Sequence, residues 1–81
     1  MALAFVLATL TVMRNQDYRS EITLWESTAV LSPEKPRVHN NLGFAYELAG
    51  RQTEARQGYT TALRQDPDYR KARANLARVD E

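Results

Sequence analysis

Between Val38 and Pro67, apolar, small and helix-ending residues recur at the spacings of two antiparallel helices joined by a tight turn. Val38, Leu42, Ala45, Tyr46 and Ala49 follow one another at steps of four, three, one and three, the stripe of a single helix face. Gly50 then stands where a helix C-terminus takes a left-handed residue. Ala55, Tyr59, Ala62 and Leu63 trace a second stripe, with Thr53 as its expected N-cap. Asp66-Pro67 closes it, since a residue before proline avoids the α region. Residues 36–69 therefore predict one 34-residue helix–turn–helix unit, turning near Gly50 to Gln52. Such a unit cannot cover its own apolar face and must stack on neighbours.

The register runs on in both directions. Thirty-four residues earlier, Pro33 stands for Pro67, Trp25 for Tyr59 and Thr28 for Ala62. Thirty-four later, Leu76 stands for Leu42, Asn75 for Asn41 and Ala77 for Gly43. The earlier copy is degenerate, with Glu21 at the place of the small Ala55. Its helix stripe is Tyr18, Ile22, Trp25 and Ala29, with Asn15 or Asp17 as the expected cap, and Ser32-Pro33-Glu34-Lys35-Pro36 ends it. Pro36 suits the first turn of the next helix. The later copy is a lone helix from Asp68 to about Val79, with Ala72, Leu76 and Val79 on one side. No stretch alternates with a period of two, so the fold class is all-α, with four or five helices.

Met1 to Met13 is the compositional outlier, uncharged and apolar on every side of a helix. Thirteen helical residues reach roughly 20 Å, short of the roughly 30 Å of a bilayer's hydrocarbon. No Lys or Arg precedes the run, which argues against a signal peptide. Three readings remain open. It is the end of a membrane helix (the reading we favour), a short anchor, or a buried packing helix. A chain of 81 residues has a marginal core, so another chain or lipid is expected on Phe5, Val6, Leu7 and Leu10, and an oligomer stays open.

Composition narrows the function. Eleven bases against ten acids give a net charge of +1, which argues against nucleic-acid binding. Arg70, Lys71, Arg73 and Arg78 make the C-terminal helix locally basic, with an acidic partner as the sharper reading. One histidine and no cysteine supply no convincing nucleophile–base pair. His39 lacks ligands at i+3 or i+4, so no metal is expected and His39 reads as packing. Gly43, Gly50 and Gly58 are not spaced as a phosphate loop. Glu47 and Glu54, seven apart across a turn, read as solvated carboxylates. No cofactor is implied, and the chain is not expected to be an enzyme.

Through Leu42-Gly43, Tyr46, Gly50, Ala55, Tyr59, Ala62 and Pro67, residues 36–69 resemble tetratricopeptide-repeat proteins. The likeness extends from Tyr18 onward. It implies a short right-handed solenoid of about two repeats plus a capping helix, preceded by an apolar N-terminal helix. The expected divisions are an apolar segment at 1–14 and a repeat domain at 15–81. The latter comprises a degenerate half-repeat (15–35), the full repeat (36–69) and the cap (70–81). Gly43 and Ala55 would let the paired helices approach closely, while Tyr46 and Tyr59 fill the space between hairpins. A weaker likeness covers Arg14-Asn15, Leu24-Trp25-Glu26, Ser32-Pro33, Arg37 and His39-Asn40-Asn41-Leu42-Gly43. There the chain resembles the junction between the last membrane helix and the C-terminal repeats of integral-membrane glycosyltransferases.

The family resemblance also implies a groove. Its concave surface is lined by the first helix of each repeat, here through Arg37, Asn40, Asn41 and Phe44, then Lys71, Ala74, Asn75 and Arg78. Asn41 and Asn75 lie at the asparagine position some members use to hold a peptide backbone or terminal carboxylate. Phe44 departs from that pattern, where those members carry a polar group. The expected function is a protein–protein interaction or scaffold module, membrane-associated, with a protein or peptide partner of acidic character. A purely structural packing role, or the tail of a glycosyltransferase whose chemistry lies elsewhere, remains the alternative. On orientation, Arg14 and Arg19 after the apolar run favour the cytoplasm by the positive-inside rule. The glycosyltransferase likeness favours the periplasm, which we take as the expectation, with the cytoplasm still open.

Overall fold

The computed structural model describes residues 18–80 as four helices: α1 (Arg19–Leu31), α2 (Pro36–Leu48), α3 (Gln52–Gln65) and α4 (Arg70–Val79). Among the described residues there is no strand. The expectations for residues 1–14, for contacts of Phe5, Val6, Leu7 and Leu10, and for caps at Asn15 or Asp17 lie outside the described residues.

The turn residues end the helices where the spacing predicts. Gly50 has φ +80°, the left-handed conformation that a side chain disfavours. It lets the Arg51 N–H reach the Tyr46 carbonyl at 2.9 Å and the Gly50 N–H reach Glu47's at 3.0 Å. These two bonds are a Schellman C-cap, satisfying carbonyls that the end of α2 would otherwise leave open. The same turn carries Arg51 back over the Tyr46 ring, 4.8 Å from its centroid. Pro36 takes the first turn of α2. Thr53 does not cap α3, which already begins at Gln52 and has Arg51 at its N-cap with no side-chain bond. The close of the Schellman turn drives the chain straight into the helix, leaving Thr53 inside the first turn.

The 34-residue register is visible in the hydrogen bonds. The Ser32 N–H meets the Thr28 carbonyl at 2.8 Å, and its counterpart Asp66 meets Ala62 at 2.9 Å. His39 Nε2 lies 2.6 Å from the Pro33 carbonyl, and its counterpart Arg73 donates to the Pro67 carbonyl at 2.6 Å. A carbonyl only accepts, so His39 carries its proton on Nε2 in this bond. Gln65 donates to the same Pro33 oxygen at 2.7 Å, fastening the α1–α2 turn to the end of α3. Position 39 therefore holds a turn together, a task its packing reading did not include.

Packing follows the chain. α2 lies on α3 most extensively, α1 packs on α2, α4 on α3, and α4 also touches α2. Short turns alternate the helix directions, so α2 and α4 run parallel. Ala55, Tyr59 and Val79 form the buried centre, with Tyr46 and Leu76 packed against it. Tyr59 is the one large side chain that is fully buried among the described residues. The separation of α2 and α3 is set by two glycines. A Cβ on Gly43 would sit 2.9 Å from the Tyr59 ring and the Ala55 carbonyl, and one on Gly58 would sit 2.8 Å from the His39 carbonyl. Ala55 contributes to this approach as expected, whereas Gly58 was not singled out by spacing.

Candidate functional site

The cleft between α2 and α4 is lined by Asn40, Asn41, Phe44, Lys71, Ala74 and Asn75, and encloses about 400 Å³. Six of the eight residues expected in a groove thus meet in one place, all but Arg37 and Arg78. The register explains it: parallel helices offset by one repeat bring residues 40–44 opposite 71–75. Phe44 is exposed, an apolar surface at the cleft wall.

The cleft's base is held by internal hydrogen bonds. Asn75 Nδ2 donates to Asn40 Oδ1 at 3.0 Å, and Asn40 is buried. Arg78 Nη2 donates to Asn75 Oδ1 at 2.9 Å. The carboxamides of Asn40 and Asn75 therefore hold α2 and α4 together. Neither lies free at the surface. No side-chain hydrogen bond or ion pair joins Asn41 or Lys71 to another described residue, and both line the cleft. Arg37 is exposed on α2 but does not line it.

Arg78 is committed elsewhere. Its Nε and Nη2 donate to the two carboxylate oxygens of Glu47, each at 2.7 Å, a bidentate pair between α4 and α2. The Tyr59 hydroxyl donates to Glu47 Oε1 at 2.6 Å from α3. Glu47 is thus the junction of three helices, which corrects its reading as a solvated carboxylate. The Arg78 guanidinium holds the Glu47 carboxyl below its ordinary range against the opposing effect of burial, and the Tyr59 bond adds to it. Burial, then the Glu47 bond, pushes the Tyr59 phenol upward. The sequence signal for this junction is two opposite charges 31 residues apart, three short of the repeat. That offset puts them a turn apart on parallel neighbours.

Other charges sit at the rim. Glu54, also read as solvated, pairs with Arg51 across one turn of α3. Arg56 meets Asp80 at 2.7 Å, with both side chains about half exposed. Pairs this open contribute about 0–1 kcal/mol. Among the described residues no three His, Asp or Glu side chains cluster as metal ligands do. The cleft offers an apolar wall, a carboxamide and an ammonium, suited to holding a chain segment by contact and hydrogen bonding.

Comparison with known proteins agrees with the helical-repeat fold. Residues 36–69 match the tetratricopeptide repeat family model. Over 64 residues, 79% of the chain, it is 34% identical to a TPR repeat-containing thioredoxin of Arabidopsis thaliana, covering 9% of that protein. Over 69 residues, 85% of the chain, it is 28% identical to a Protein O-mannosyl-transferase of Caenorhabditis elegans, covering 10%. The chain thus spans about a tenth of the length of these curated relatives. Through residues 36–69 the chain belongs to the tetratricopeptide-repeat family, whose repeats serve as protein-interaction modules.

Proposed function

We propose that the cleft between α2 and α4 holds an extended, acidic segment of a partner protein, and that residues 1–13 tether the module to a membrane. The observation that carries the first part is the division of labour among the polar groups. Asn40, Asn75 and Arg78 are tied into the fold, while Asn41 and Lys71 line the cleft beside the exposed Phe44. Lys71 supplies the charge for a carboxylate, Asn41 a donor and acceptor for peptide backbone, and Phe44 an apolar contact. Arg37 and Arg70 extend the positive field beyond the rim. The tether rests on thirteen uncharged, apolar residues at the N-terminus; no described helix is long and apolar enough to cross a membrane. In this reading the module has no catalytic role, and its repeats face the periplasm.

The test is a titration of the chain with a fluorescent peptide carrying Asp and Glu around one aromatic residue. Asn41→Ala combined with Lys71→Ala should weaken binding about tenfold, equivalent to ~1.4 kcal/mol. Affinity should also fall with added salt, since exposed charges are screened over roughly 8 Å at physiological ionic strength. Equal binding by the native and doubly substituted chains overturns the groove and leaves a packing role.

The mannosyl-transferase match favours a second reading, in which these residues are the repeat portion of a longer protein of that kind. Determining the residues encoded upstream of Met1 tests it. Further apolar segments there support it, and a soluble, charged repeat argues against it.

A further inference from the structure

We infer that the outer face of α1 lies flat on the lipid surface into which residues 1–13 insert, an inference that rests on the tether proposed above. The face is anomalous for this molecule. Leu24 is 58% exposed and Leu31 83%, with Val30, 79% exposed, about 100° further round the helix. Leu24 and Leu31 are seven residues apart, so they share one stripe of α1, separated by about 10 Å of helix rise. Ser20 and Ser27 complete that stripe, which carries no charge along its centre. On α3 and α4 no large apolar side chain is exposed, and Arg56, Arg64, Arg70, Lys71, Arg73 and Arg78 are. Apart from Phe44 in the cleft, Leu24, Val30 and Leu31 are the exposed large apolar side chains among the described residues, and such a patch marks a side that something covers.

The chain outside the structure indicates what covers it. Only Arg14 to Asp17 separate the uncharged run from Tyr18, where the description begins. Four residues reach at most about 14 Å, so α1 cannot leave the neighbourhood of a bilayer that holds the run. A helix face resting on an acyl boundary needs a stripe uncharged at its centre with polar residues beside it; Leu24 and Leu31 with Ser20 and Ser27 provide the stripe, and the exposed Glu21 and Thr23 flank it. Arg19 is exposed, and with Arg14 it offers cations at headgroup level.

Two other occupants fit less well. Residues 2–14 fall in the register of α2, and a helix there would lie on α1 as α2 lies on α3. At that contact α3 has Ala55 and Gly58, where even one Cβ on Gly58 would meet the His39 carbonyl at 2.8 Å. α1 has Glu21 and Leu24 at those places, so the close approach is blocked and a carboxylate would be buried without a partner. A second copy is disfavoured by area, since three aliphatic side chains fall well short of the ~800 Å² per partner in a stable interface.

The chain has no cysteine, so single labels report cleanly. Leu24→Cys and Leu31→Cys, each carrying an environment-sensitive fluorophore, are compared with Arg64→Cys on α3 in phosphatidylcholine vesicles, with co-sedimentation measured on the same samples. All three positions are exposed, so the substitutions leave the core intact. The expected result is a blue shift and a several-fold loss of iodide quenching at 24 and 31 on adding vesicles, with the label at 64 unchanged. Co-sedimentation with both α1 labels still aqueous overturns the docked face while the tether stands. Failure to co-sediment overturns the tether and the docked face with it. Shielding in plain buffer overturns it in favour of residues 2–14 if independent of concentration, or of a second copy if it rises with concentration.

Discussion

Gly58 of α3 rests directly on Gly43 of α2: a Cβ built on Gly58 would lie 2.9 Å from the Gly43 Cα and 2.8 Å from the His39 carbonyl. Both neighbours are backbone, which cannot swing aside as a side chain can. Gly58→Ala gains about 1 kcal/mol of helix propensity. It loses about 1–3 kcal/mol to overpacking. The expected outcome is net destabilisation of up to about 2 kcal/mol in urea unfolding, whereas a net gain near the ~1 kcal/mol of propensity would show that α2 and α3 can part at no cost.

Gly50 separates a conformational requirement from a packing one. No atom outside its immediate neighbours lies within 4 Å of a Cβ there, but its φ is +80°. Gly50→Ala should cost about 1–2 kcal/mol through left-handed strain alone. Gly50→Asn should recover much of that loss, because asparagine tolerates the region. Thermal melts of the two variants check the order, and equal melting temperatures would remove the strain argument.

The Glu47 junction predicts acid sensitivity. The Arg78 pair holds the folded carboxyl below its ordinary value of 4.5. A depressed carboxyl contributes stability that is present above its unfolded value and lost as pH falls through the folded one. Stability should therefore decline below about pH 4.5. Glu47→Gln should cost about 1–2 kcal/mol near neutrality, toward the lower end for a charged bond because Arg78 is half exposed. Its stability should then vary less with pH in the acid range. Parallel acid limbs for the two proteins would assign the loss to other carboxyls.

Much of the fold was legible because its signals are local. Pro33, Pro36, Gly50 and Pro67 punctuate the helices by backbone sterics, and the four-and-three spacing of Val38, Leu42, Ala45 and Tyr46 marks the buried face. What escaped was set by neighbours distant in sequence. Gly58 gains its importance only where two helices cross, and Glu47 acquires its partners from α3 and α4. Arg78 and Asn75 point toward the groove by register, yet hydrogen-bonding partners across the helices engage them first. The cleft was readable as a set of positions, while the distribution of its polar groups between fold and surface required coordinates.

Tyr46 carries the corresponding alkaline prediction. Burial first, then its hydrogen bond to Glu26 on α1, pushes its phenol up to about 12. A raised value leaves the stability contribution complete below the unfolded value of about 10 and removes it as pH rises from there toward 12. Tyr59 is shifted in the same direction and adds to the decline. Tyr46→Phe should flatten part of this alkaline limb. Unfolding free energies measured from pH 9 upward test it, and an unaltered limb would leave Tyr59 to account for the whole.

The doubly used carbonyl of Pro33 predicts non-additivity. His39 Nε2 and Gln65 Nε2 approach the same oxygen at 2.6 and 2.7 Å, one from α2 and one from the end of α3. Either donor alone satisfies the acceptor, so deleting one removes only the weaker share of a shared bond. His39→Ala and Gln65→Ala should each cost less than about 1 kcal/mol, near the net value of one hydrogen bond. Removing both frees the turn between α1 and α2 from α3, and the combined loss should exceed the sum by roughly 0.5 kcal/mol or more, the range expected of residues sharing a partner. A double-mutant cycle by urea unfolding measures this. Strict additivity would mean that the two side chains hold the turn independently, through packing and not through the common carbonyl.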